Sequence, residues 1–138
     1  MSKVFEDEFM ELQTGLISLC LEVTQGKVDK VFAYGSNEKK STMFNAFFEV
    51  DGEIKTLNLL GVPRELAFQF LSLGMDDLEK LDSIGKKYGR PVPTELKLYY
   101  DVRTKKFRSE YKYEEVCSAR TGRAAEDVFD EWIAEMKG

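Results

Sequence analysis

The stretch from Thr42 to Leu60 constrains the fold of this chain more than any other. Phe44, Ala46, Phe48 and Val50 alternate with Met43, Asn45, Phe47 and Glu49. A period of two puts these sets on opposite faces of a strand, one wholly apolar and the other mixed. Asp51-Gly52 follows, and both central residues of a type I′ turn need positive φ, which this pair tolerates. A strand over 42–50 is thus predicted to pair antiparallel with a second over 53–60. An earlier strand is predicted over 28–34, with the polar segment 35–41 as a mobile connection.

Helical periodicity frames this hairpin. Phe5, Phe9, Leu12, Leu16, Leu19, Cys20 and Val23 recur at steps of three and four, predicting one amphipathic helix over about 2–24. Pro63 suits a first helical position, and a short helix is expected from there to about Leu73, ended by Gly74. Asp76 and Glu79 have capping-box spacing, so a second short helix is expected, buried through Leu78, Leu81, Ile84 and Tyr88 and closed by Gly89 and Pro91. A second hairpin should follow. Leu96, Leu98, Tyr100 and Val102 share one face, Lys97, Tyr99, Asp101 and Arg103 the other. Thr104-Lys105-Lys106 forms the turn, and the return strand runs 107–113. The last helix is predicted over about 122–137, with Trp132 in its apolar arc beside Val128, Phe129, Ile133 and Met136. The order predicts one α+β domain over 1–138: an antiparallel sheet of about five strands packed by N-terminal, central and C-terminal helices.

The composition excludes several kinds of chemistry. The chain has no histidine, which removes Ser-His and Cys-His pairs, histidine bases and mixed-ligand zinc sites. Cys20 and Cys117 are too few for a disulfide framework. Cys20 is expected as a buried small hydrophobe and Cys117 as half exposed after a strand. Gly35-Ser36-Asn37-Glu38-Lys39-Lys40-Ser41 lacks the spacing of a phosphate loop and joins strands instead of opening a helix. No metal, cofactor or catalytic residue is therefore expected. No apolar run approaches the roughly 20 residues of a membrane span, and the acidic start is unlike a signal peptide, so a cytoplasmic protein is expected.

Charge is unevenly placed on a chain of net charge −5. Residues 121–138 hold five acids against Arg123 and Lys137, whereas residues 95–120 hold seven Lys or Arg against five acids. A net negative chain binds nucleic acid poorly, because phosphate contacts supply most of that affinity. An acidic face suits a basic protein partner. Asp127, Asp130, Glu131 and Glu135 lie away from the apolar arc of the last helix and are the expected partner-binding residues. Tyr99, on the charged face with Lys97 and Arg103, is the expected aromatic contact.

Two stretches carry a family resemblance. One is Val28-Asp29-Lys30-Val31-Phe32-Ala33-Tyr34 with Asn45-Ala46-Phe47-Phe48-Glu49-Val50-Asp51-Gly52. The other is Pro93-Thr94-Glu95-Leu96-Lys97-Leu98-Tyr99-Tyr100-Asp101 with the return Lys106-Phe107-Arg108-Ser109-Glu110-Tyr111-Lys112-Tyr113. With the long first helix and the late tryptophan, they resemble the YezG-like immunity proteins over most of the chain. The turn carries Lys105 where members of that family often have glycine. The resemblance implies an α+β fold, no catalytic residues, and neutralisation of a cognate nuclease toxin exported by Gram-positive bacteria. Two other classes stay open: a structural or adaptor protein, including a homodimer, and a small enzyme working with carboxylates alone.

Overall fold

The computed structural model describes residues 4–38, 41–114, 116 and 124–138. Cys117 and the predicted start of the last helix at 122 lie outside the described residues. The elements in order are α1 (Phe5–Thr24), β1 (Lys30–Glu38), β2 (Ser41–Val50), β3 (Glu53–Thr56), α2 (Arg64–Tyr88), β4 (Glu95–Asp101), β5 (Phe107–Lys112) and α3 (Ala125–Lys137). The five strands form one antiparallel sheet in the order β3-β2-β1-β4-β5. The fold is α+β, with N-terminal, central and C-terminal helices.

The alternation in β2 decides how the layers stack. Phe44, Ala46 and Phe48 face α1 and α2, where they join Leu16, Cys20, Leu78, Leu81, Leu96 and Leu98 in the larger core. Phe47 points to the other side, with Phe32 and Tyr34 of β1, and meets Val128, Phe129 and Trp132 of α3. The sheet therefore carries two helices on one face and one on the other. Burial of apolar area on both faces supplies the main driving force, about 25 cal/mol per Å². Cys20 is fully buried, and burial pushes its thiol far above the ordinary range. Gln13 is a buried polar residue on α1. Its side chain donates to the Phe9 carbonyl and accepts the Tyr111 hydroxyl at 2.7 Å, which ties α1 to β5.

Asp51 and Gly52 turn the β2–β3 hairpin with φ of 51° and 80°, as two positive-φ positions require. The second hairpin turns with Lys105 at φ 62°. This is the conformation that glycine adopts without cost and a side chain resists. Lys105→Gly is therefore expected to raise the unfolding free energy by up to about 1 kcal/mol, measured by chemical denaturation.

Several boundaries differ from the sequence reading. The two short central helices are one helix of 25 residues. Gly74 does not end it, because a Cβ there would lie 2.0 Å from Cδ2 of Phe44. The glycine lets the helix lie against β2. Asp76 and Glu79 consequently sit mid-helix, exposed, and cap nothing. The connection expected over 35–41 is mostly strand: β1 continues to Glu38, which pairs with Ser41 and leaves two residues between. Ser36, Asn37 and Glu38 are buried there, because β1 is the central strand and has neighbours on both sides. In contrast, β3 stops at Thr56 and the chain turns over 57–61 instead of continuing as strand to Leu60.

Candidate interaction surface

The carboxylates of the two terminal helices are treated differently by the fold. On α1, Glu6 pairs with Arg90 at 3.1 Å and Glu8 with Lys87 at 2.9 Å, and Glu8 also accepts a short hydrogen bond from the Tyr88 hydroxyl. A backbone hydrogen bond first, and Arg90 second, hold the Glu6 carboxyl below the usual carboxylate range. The cations at the α2 C-terminus thus pair with two acids of the α1 N-terminus, Glu6 and Glu8. On α3 three acids differ. Among the described residues Glu126, Asp130 and Glu135 are exposed and form no ion pair.

This arrangement follows from the docking of α3. Trp132 is 2 % exposed and makes edge contacts with the rings of Phe47 at 4.9 Å, Tyr99 at 5.4 Å and Phe32 at 6.1 Å. Val128 and Phe129 are buried beside it. At 100° per residue, Asp127, Asp130 and Glu131 must then point away from the sheet. All three, with Glu135, are exposed. Asp127 also accepts the Ala124 backbone N–H at 3.3 Å, a capping role in the first turn.

Tyr99 lies on β4, on the sheet face that α3 packs against. It is half-buried, its ring edge-on to Trp132 and the Arg108 guanidinium 3.9 Å from its centroid. Its hydroxyl donates to Glu110 at 2.5 Å. Burial first, and the Glu110 carboxylate second, push its hydroxyl up to about 12. Tyr99 therefore packs against its own chain as well as facing the open sheet.

Other features were not read from the sequence. Leu66 and Leu73 of α2 are 49 % and 51 % exposed. They line a hollow of about 260 Å³ against Leu19 and Val23 of α1, next to another of about 290 Å³ that shares Val23 and Leu66. Their i, i+7 spacing is the signal that the sequence holds for it. Two acids, Glu38 and Glu95, are buried on the α3 face. Glu95 accepts the Tyr34 hydroxyl at 2.8 Å with Lys112 3.9 Å away, and Glu38 accepts the Val116 backbone N–H at 2.9 Å. Both thus serve as acceptors within the fold.

Among the described residues no group of three or more Cys, Asp or Glu side chains is placed to hold a metal ion, and no helix is long and apolar enough to cross a membrane. In comparisons with family models and with curated proteins, the chain matches none.

Proposed function

We propose that this protein is a non-catalytic inhibitor of the immunity-protein kind, which binds a basic nuclease toxin and blocks it by protein–protein contact. The observation that carries this reading is the exposed acidic outer face of α3, where Asp130 and Glu135 form no ion pair among the described residues, whereas Glu6 and Glu8 of α1 are paired with Arg90 and Lys87. Exposed carboxylates on a rigid helix speed encounter with a basic surface and reject acidic ones. The resemblance of the two hairpins to the YezG-like family supports the same partner class. Asp130, Glu131 and Glu135 make the contact, and Asp127 joins them while capping α3.

The test is binding kinetics against any secreted nuclease toxin found encoded beside this protein. Asp130→Lys with Glu131→Lys should slow association on the order of tenfold and leave the melting temperature unchanged, and the wild-type rate should fall with added salt. Unaltered rates in the double variant would take α3 out of the interface. If the neighbouring toxin neither binds nor loses activity, the inhibitor reading fails.

An adaptor role is the second reading, favoured by the hollows beside Leu66 and Leu73. Exposed apolar surface of this kind is typical of protein contact sites. Leu66→Asp with Leu73→Asp separates the two: loss of toxin binding there, with α3 variants unaffected, would move the contact to α1 and α2.

A further inference from the structure

Among the described residues, the sheet face opposite α1 and α2 is only partly covered. α3 lies over β2 and β3, with Trp132 reaching β1 and β4. The same face of β4 and β5 carries no helix among the described residues. It is a step down from α3, one helix layer deep, and a groove of about 610 Å³ opens at its foot beside Met136. Lys30, Phe32, Tyr99, Lys106 and Arg108 are among its walls.

Among the described residues this half carries a small excess of cations, with Lys97, Lys106, Arg108 and Lys112 against Glu95, Asp101 and Glu110. Its acids keep their charge but are fixed in place: Asp101 accepts the backbone N–H groups of Arg103 and Thr104, Glu110 accepts the Tyr99 hydroxyl, and Glu95 accepts the Tyr34 hydroxyl and lies 3.9 Å from Lys112. Its cations are held loosely. Lys97 lies 5.3 Å from the centre of the Trp132 ring and has no carboxylate within ion-pair distance among the described residues. Lys106 has none either, and Arg108 stacks on Tyr99 with Glu110 3.6 Å away. Beside this basic step stands the ridge of α3, with Asp127, Asp130 and Glu131 along its crest and the small Ala134 between them.

We infer that the surface is a self-association site, and that its occupant is the α3 helix of a second copy. Step and ridge lie side by side on one face, so a two-fold axis between them lays each α3 on the partner's β4–β5 step. The contact is then isologous and closes at two chains. Each acidic ridge meets the cations that its own chain leaves without full partners. Each step gains the second helix that α1 and α2 already provide on the other side. The acidic helix used is the one assigned above to the toxin, so the dimer and the toxin complex exclude one another. The dimer itself does not depend on the toxin reading.

The experiment is sedimentation velocity on the purified full chain over a concentration series, without toxin. Wild type should reach twice the mass of one chain at low ionic strength and dissociate at about 0.5 M salt, where screening acts over a few ångströms. Asp130→Lys with Glu135→Lys should be monomeric, and so should Lys97→Glu with Lys106→Glu. Mixing these two variants pairs a basic ridge with an acidic step and the reverse, so an equimolar mixture should recover the dimer. Melting curves check that each variant folds, and Lys106→Glu alone serves if reversing Lys97 unfolds the chain. A monomeric wild type at every concentration overturns the inference. So does a dimer that ignores both reversals, or a mixture of folded variants that stays monomeric.

Discussion

Replacing Trp132 by alanine should lower the unfolding free energy by about 3–5 kcal/mol, the cost typical of removing a large buried aromatic. The indole touches four rings: Phe32, Tyr34, Phe47 and Tyr99. It also carries α3 across to Tyr99 and Lys97 of β4, so its loss should loosen α3 before the rest of the fold. Far-UV circular dichroism in denaturant gives the energy, since the chain has no other tryptophan to follow by fluorescence. Hydrogen exchange should show α3 losing protection ahead of α1 and α2. An unchanged transition with α3 still protected would mean that this helix is held by other contacts.

The second large effect is expected at Gly74, where the sign of the change is diagnostic. In an exposed helix interior, glycine to alanine is stabilising by about 1 kcal/mol through helix propensity. Here the new methyl would fall within 2.0 Å of Phe44, whose ring is packed against Phe70 with centroids 5.1 Å apart. Neither ring can retreat without moving the core, so Gly74→Ala should destabilise by about 2–3 kcal/mol net. Phe44→Leu removes the ring that the methyl strikes. Combined with Gly74→Ala, it should cost clearly less than the sum of the single changes. A stabilising Gly74→Ala would place the helix further from β2 than described.

Residue chemistry within a few positions determined much of this fold without help from the rest of the chain. The alternation of Phe44 to Val50 sorted the side chains between the two faces of β2, and Asp51-Gly52 set the turn, since positive φ is a local property. The three- and four-residue spacing of Phe5 to Cys20 and of Val128 to Trp132 marked the buried stripes of α1 and α3. The outward direction of Asp130 and Glu131 followed from the same spacing, with no knowledge of what α3 packs on.

Contacts between distant segments decided the rest. Gly74 looks like a helix stop until Phe44, 30 positions earlier, is placed beneath it. The polar run Gly35 to Glu38 looks like a loop until β2 pairs with all of it and β4 with Gly35 and Ser36, taking up its backbone groups. Nor does periodicity say which face of a sheet a helix will cover. That α3 takes the face opposite α1 and α2, and leaves β4 and β5 open beside it, is set by how the whole chain crosses the sheet. The pairing of Glu6 and Glu8 on α1 is decided in the same way, because Arg90 and Lys87 meet them only once α2 packs beside α1. Charge counted along the sequence is a local sum, whereas the field a partner meets depends on which charges the fold has already paired.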